Sequence, residues 1–212
     1  MTTALLGFAL ASTLLILAPG PDSMLVMRNT MRGGRRSGLI TACGTMSGLT
    51  VWAVAAALGL TALLRVSHVG YDVLRFAGAA YLIWLGAGGS FGLFGRKRAG
   101  QTATDRPLPG PPPARARVYL NGLLSNLFNP KISVFFMAFL PAFIPAHAAA
   151  TQFSLVLGLW FIAETGLWLA IVAWLADRGA RWLRRTAVQR WLERVTGIVL
   201  IGFGIRLATE AR

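Results

Sequence analysis

Six long apolar segments constrain this chain more than any other feature of its sequence. Each is long enough, or nearly so, to cross a hydrocarbon core, which takes about 20 residues of helix. They occupy residues 3–27, 38–64, 74–94, 118–144, 153–176 and 192–208. Of the 212 residues, 55% are hydrophobic and 13% are charged, which is too little charge to cover a soluble domain of this length. The sequence therefore predicts an all-α membrane protein with six transmembrane helices.

The positive charges lie in alternate connections between these segments. The net charge is +14, and the Lys and Arg residues crowd the connections after the first, third and fifth segments. The connection after the fourth segment, "IPAHAAATQ", has none. This alternation places the Arg-rich loops in the cytoplasm and both termini outside. Anionic lipid head groups explain the same charges, so no nucleic-acid partner is predicted.

The N-terminal segment raises the question of a cleaved signal peptide. Residues 1–27 contain no Lys or Arg, and no A-x-A site follows the apolar run. A signal peptide normally has both features, so we expect this segment to be retained as a membrane span.

A Pro-rich, charged stretch divides the chain into two similar halves. Residues 95–117 predict an extended cytoplasmic linker between repeat one, about 1–94, and repeat two, about 118–212. The third segment opens with Arg75 and Gly78, and the sixth opens with Arg194 and Gly197 at the same spacing. Because each half has three spans, the halves must have opposite orientations. Such inverted repeats with broken helices are typical of secondary transporters.

The first span is interrupted by the stretch "APGPDS". Pro19 and Pro21 supply no N–H group, and Gly20 between them permits a helix to stop and restart. Asp22 then lies in the first turn of the second helical piece, where the helix dipole favours a negative charge. Two roles are open for Asp22: a cap for the restarting helix, or a carboxylate exposed to a central cavity.

The second half contains a matching interruption, "SNLFNPKISVFF". Pro130 lies near the middle of the fourth segment, so we expect the first and fourth helices both to be broken. Asn126 and Asn129 are three residues apart and share one helix face. At this depth their amides either join helices together or contact a ligand.

Two further charges lie in the middle of spans. Lys131 follows the second break, and Glu164 lies about halfway along the fifth segment. Charged residues at this depth are rare and are candidates for function. Their similar depth predicts either a structural ion pair or groups that change partner or protonation during transport.

Small residues recur at close-packing intervals in two spans. Gly44 and Gly48 form a GxxxG pattern, and Gly86 with Ser90 forms a related one. Close helix packing explains both, either within one protomer or between the protomers of a homodimer.

The motifs "PGPD", "GGRRSGL", "GAAYLIWLG" and "NPKISVFFMAFLPAF" resemble those of the lysine-exporter (LysE/RhtB) superfamily of amino-acid efflux proteins. The resemblance covers the chain outside residues 95–117. It implies secondary active export of amino acids across the bacterial inner membrane, with protons as the coupling ion. The first family motif falls on Pro19, Gly20, Pro21 and Asp22, and the second on Asn126, Asn129, Pro130 and Lys131. Glu164 matches no family motif.

Two other function classes remain open as alternatives: an intramembrane enzyme and a non-transporting scaffold. The sequence has no Ser–His pair and no HExxH motif, so we predict no catalytic residue, no metal site and no cofactor. A scaffold would not need charges in the middle of its spans. The leading prediction is an exporter of amino acids or related small zwitterions.

Overall fold

A computed structural model describes residues 2–17, 20–66, 114–144 and 149–178, with scattered positions between 73 and 87 and between 191 and 209. Within these residues the chain forms helices and short turns, without β-strands. Most of the predicted linker lies outside the described residues, and so do Pro19, Gly86 and Ser90.

The α-helices follow the apolar segments of the sequence. They are α1 (Thr2–Leu17), α2 (Pro21–Val66), α3 (Arg115–Leu127), α4 (Pro130–Val134) and α5 (Ala150–Asp177). A π-helical turn, Phe135–Phe139, and a 3₁₀ turn, Leu140–Phe143, continue from α4. Both predicted breaks are present, since α1 ends before Pro21 and α3 ends before Pro130. The helix α3 begins at Arg115, so the last residues of the predicted linker 95–117 are helical.

The long helix α2 is a hairpin. Gly33 and Gly34 leave helical geometry, and Gly34 has a φ of 73°, a conformation that favours glycine. The Asn29 amide donates to the Thr41 hydroxyl at 2.9 Å. In a straight helix these residues would be about 18 Å apart along the axis, so the chain must fold back between them. The pieces 21–32 and 35–66 therefore correspond to the end of the first predicted span and to the second.

Glycines bring α2 and α3 into close contact. A Cβ atom at Gly44 would collide with the Tyr119 carbonyl oxygen, and one at Gly122 with the Thr41 carbonyl oxygen. A Cβ at Gly48 would lie 2.7 Å from Asn126 Oδ1. The glycine pattern of the second span therefore serves packing within one protomer.

An aromatic cluster fills the space between α1, α5 and the turns after α4. Phe8, Phe135, Phe136, Phe139 and Phe161 are all at most 5% exposed. The rings of Phe135 and Phe161 stack with centroids 4.4 Å apart. This burial of large rings fixes the segment after the second break against α1 and α5.

Two helical stretches have the dimensions of membrane spans, and a bent pair of helices has them when it is taken as one span. One is Ala150–Asp177, and the other lies within Pro21–Gly59, where the fold at Gly33 and Gly34 leaves residues 35–59 as the stretch that can cross the bilayer. Arg115–Leu127 and Pro130–Phe143 form the bent pair, with an angle of 49° at its break. The described residues of the third and sixth segments are helical, and Gly204 lies against Ile83. The complete six-span inverted repeat stays a prediction.

Candidate functional site

The two helix breaks meet, and Asp22 lies at their meeting point. Asp22 is the second residue of α2 and is 8% exposed. One of its carboxylate oxygens, Oδ1, accepts from the Ser125 hydroxyl at 2.9 Å. The other, Oδ2, accepts from the Asn126 amide at 2.9 Å and from the Asn129 amide at 3.2 Å. A carboxylate of the first half is thus held by three donors of the second half.

The two asparagines approach Asp22 from different elements. Asn126 lies in the last turn of α3, whereas Asn129 lies beyond the helix as the N-cap of α4. The prediction that they share one helix face is therefore wrong, because α3 ends at Leu127. The break turns Asn129 back toward Asp22, so both amides reach the same carboxylate oxygen.

Hydrogen-bonding capacity remains at this cluster. A carboxylate oxygen can accept about two hydrogen bonds, and Oδ1 of Asp22 accepts one from the described residues. Asn126 Oδ1 is fully buried and has no hydrogen-bond partner in the described part of the chain. An unpaired buried acceptor costs about 1–3 kcal/mol, which a ligand with N–H groups would recover.

The two restarting helices differ in how their N-termini are capped. The Asn129 side chain accepts from the Lys131 backbone N–H at 3.1 Å, so α4 is capped by its own sequence. Gly20 stands at the same place before α2 and has no side chain to offer. Helix geometry leaves the N–H groups of Asp22 and Ser23 without intrahelical acceptors. The start of α2 therefore presents partial positive charge beside the Asp22 cluster.

Lys131 contacts the end of the first helix. Its Nζ donates to the Leu15 carbonyl oxygen at 3.1 Å, in the last turn of α1. The carbonyls of a last turn lack intrahelical donors, and the dipole there favours a cation. Lys131 thus stabilises the broken end of α1.

Glu164 contacts α1 one turn earlier. Its Oε2 lies 2.5 Å from the Ser12 hydroxyl, and its Oε1 accepts from the Thr13 hydroxyl at 3.2 Å. A direct ion pair between Lys131 and Glu164 was one of the two alternatives from the sequence, and the described contacts give the two residues different partners instead. Both side chains reach the same helix, but each binds a different turn of it.

Two residues of this region were not predicted from the sequence. Ser12 and Thr13 are adjacent hydroxyl residues within the otherwise apolar residues 4–17 of α1, and this pattern could have identified them. Ser125 was visible as a polar neighbour of Asn126 and Asn129, but its bond to Asp22 depends on the course of the break.

The residues predicted to break the helices do so where they are described. Pro19 lies outside the described residues, whereas Gly20 is buried and Pro21 and Pro130 each begin a helix.

Comparisons with known proteins agree with the resemblance in the motifs. Residues 13–211 match the family described as LysE type translocator. The homoserine/homoserine lactone efflux protein of Salmonella typhi is 32% identical over 202 residues, which cover 95% of this chain and 94% of that protein. The uncharacterized membrane protein YrhP of Bacillus subtilis is 30% identical over 205 residues, which cover 96% of this chain and 97% of that protein. No solved structure is significantly similar to the chain.

The match spans nearly the whole sequence, and the described helices include stretches long and apolar enough to cross a bilayer. The chain is a multi-pass membrane protein that belongs to the LysE type translocator family.

Proposed function

We propose that this protein exports amino acids or related small zwitterions across the bacterial inner membrane, driven by the proton-motive force. The observation that carries the proposal is the Asp22 cluster, in which a buried carboxylate and two buried amides meet at two helix breaks. The relative in Salmonella typhi is named an efflux protein for homoserine and its lactone, which supports an amino-acid substrate.

The cluster suits both charged ends of a zwitterion. An ammonium group can donate to the remaining lone pair of Asp22 Oδ1 and to Asn126 Oδ1, which has no described partner. A carboxylate suits the N–H groups of Asp22 and Ser23 at the start of α2, which have no intrahelical acceptors. The substrate would then replace bonds that now join the two halves, as expected for a site between repeats.

Alternating access requires that contacts between the halves open and close. Asp22 of the first half binds the end of α3, and Lys131 of the second half binds the end of α1. We assign Asp22, Asn126 and Asn129 to substrate binding, and Lys131 to holding α1 in place. Both termini are expected on the periplasmic side.

Counterflow in proteoliposomes tests this function. A thermal-shift screen first selects ligands from lysine, arginine, threonine, homoserine, leucine and cysteine, because a ligand that binds the folded state raises its stability. Vesicles loaded with a selected amino acid should then take up the same radiolabelled amino acid faster than protein-free vesicles. Uptake equal to that of protein-free vesicles for all six amino acids would contradict the proposal.

A further inference from the structure

Glu164 forms a second polar contact, separate from the Asp22 cluster. It lies in the middle of α5, it is partly buried, and it binds hydroxyls of α1 just before the first break. Nothing in substrate binding at Asp22 requires this carboxyl. A carboxyl group at this depth in a membrane span is costly and is a candidate for function.

The partners of Glu164 accommodate both of its protonation states. Ser12 Oγ lies 2.5 Å from Glu164 Oε2 and 3.0 Å from the Ala9 carbonyl oxygen, but a hydroxyl has only one proton. If Glu164 is protonated, it donates to Ser12 and Ser12 donates to Ala9, so both contacts are hydrogen bonds. If Glu164 is ionised, a rotation of the Ser12 hydroxyl lets it donate to the carboxylate instead.

Asp22 has a different set of partners. Two of its three donors are amide NH₂ groups, which cannot accept a proton. Both partners of Glu164 are hydroxyls, which donate or accept. The exchange of a proton therefore requires less rearrangement at Glu164 than at Asp22.

The charged surroundings of Glu164 are sparse. Residues 5–17 of α1 and 37–64 of α2 contain no charged side chain, and the one titratable group among them, Cys43, is exposed. Lys131 reaches α1 from α4 at the Leu15 carbonyl oxygen, one turn beyond Ser12. Within the described residues, Glu164 is thus the one carboxyl at the contact of α1 with α5.

We propose that Glu164 binds the proton that drives export, and that Ser12 and Thr13 transmit its protonation state to α1. This inference rests on the proposed function and adds the site of coupling to it. Hydrogen bonds to an ionised carboxylate are about twice as strong as those to a neutral group. Loss of the proton therefore tightens the contact between α5 and α1, whose end leads into the break before Asp22.

The test compares two transport assays on Glu164→Gln. Glutamine can donate to Ser12 and accept from Thr13, as protonated Glu164 does, but it cannot release a proton. We expect counterflow of a selected radiolabelled amino acid to persist in vesicles without a pH gradient. Accumulation driven by an imposed pH gradient, and the accompanying proton movement, should fall to the level of protein-free vesicles.

Two outcomes would overturn the inference. Normal gradient-driven accumulation by Glu164→Gln would show that another group carries the proton. Loss of counterflow together with accumulation, with an unchanged melting temperature, would make Glu164 a substrate-binding or structural group. Failure of the proposed function itself is distinguishable, because it would appear as absent counterflow in the unchanged protein.

A second measurement does not depend on transport. Infrared difference spectra of the unchanged protein between acidic and alkaline buffer should contain the carbonyl band of a protonated carboxyl group that is missing from Glu164→Gln. Ser12→Ala should shift the frequency of this band, because the nearest hydrogen-bond partner is lost. Identical bands in the unchanged protein and in Glu164→Gln would overturn the inference even if that variant were too unstable for transport assays.

Discussion

Lys131 and Glu164 hold neighbouring turns of the same helix. Lys131 binds the Leu15 carbonyl oxygen, and Glu164 binds the hydroxyls of Ser12 and Thr13. Neither residue balances the charge of the other by direct contact. The position of α1, and hence of the break that follows it, depends on both side chains.

This arrangement predicts how charge removal affects stability. Lys131→Met leaves the Leu15 carbonyl without the ammonium, at a cost of about 1–3 kcal/mol in the free energy of unfolding. Glu164→Gln keeps its bonds to the hydroxyls and should cost less. Because the two side chains have separate partners, we expect the double variant to be less stable than either single variant.

Melting temperatures of the purified single and double variants check this expectation. Lys131→Arg is the matched control, since it keeps a positive donor near the Leu15 carbonyl, and it should lose less stability than Lys131→Met. A double variant more stable than Lys131→Met would indicate a buried ion pair instead.

The sequence predicts the depth of Lys131 and Glu164 in the membrane but not the residues that they contact. The depth of a residue follows from its place along a span, so Lys131 and Glu164 could be placed at similar depth. Which helix a side chain faces depends on the rotation of each helix and on the bend at each break. The sequence contains no direct record of either, so the bonds of Lys131 and Glu164 to α1 were not predictable.

The two helix breaks are built alike. The helix α2 begins with Pro21 and then Asp22, and α4 begins with Pro130 and then Lys131. Each charged residue reaches the C-terminal end of the helix that precedes the opposite break. The breaks were predictable because proline lacks an N–H group and clashes with the preceding turn. The reciprocal contacts between them became visible only in the structure.

The close approach of α2 and α3 leaves no room for larger side chains at their contact. Gly44→Ala would place a methyl group against the Tyr119 backbone, which cannot move away as a side chain could. Overpacking of this kind costs about 1–3 kcal/mol, so the melting temperature should fall. Gly59→Ala is the matched control, because a Cβ atom there meets nothing within 4 Å, and it should leave the melting temperature nearly unchanged.

Gly48 links this packing to the site. A methyl group there would lie 2.7 Å from Asn126 Oδ1, the buried acceptor beside Asp22. The methyl group would also lie 2.9 Å from Asn126 Cβ, which side-chain rotation cannot move, so we expect Gly48→Ala to displace Asn126 and to reduce counterflow as well as the melting temperature. Equal counterflow in Gly48→Ala and Gly59→Ala would argue against a role for Asn126 in binding.

For the whole molecule, the Asp22 cluster joins the two halves of the chain. Asp22 is separated from Ser125, Asn126 and Asn129 by 103 to 107 positions in the sequence. The long apolar segments and the alternation of basic connections were enough to predict a multi-pass membrane protein. The two breaks meet because α2 packs closely against α3. The glycine pattern predicted that α2 packs closely against a helix, but it did not show which helix.

The arrangement in the membrane is a separate prediction. Because the Arg-rich connections alternate, we expect residues 95–117 in the cytoplasm and residues 145–149 in the periplasm. Alkaline phosphatase, which is active only in the periplasm, should be inactive when fused after Thr104 and active when fused after His147. The opposite pattern of activity would reverse the assigned topology.

If the charge of Asp22 serves substrate binding, Asp22→Asn should abolish transport without disturbing the fold. The asparagine can keep all three contacts: its oxygen accepts from Asn126 and Asn129, and its NH₂ group donates to the Ser125 hydroxyl. Folding should therefore be normal. The matched control is Asp177→Asn, which removes an exposed carboxylate that accepts from the Arg35 backbone N–H.

The decisive measurement is counterflow of a selected radiolabelled amino acid by both variants, reconstituted at equal protein content. We expect the unchanged protein and Asp177→Asn to exchange substrate at similar rates. Asp22→Asn should have a normal melting temperature but exchange no faster than protein-free vesicles. Exchange by Asp22→Asn at the normal rate, with the normal pH dependence, would reduce Asp22 to a structural link between the two halves.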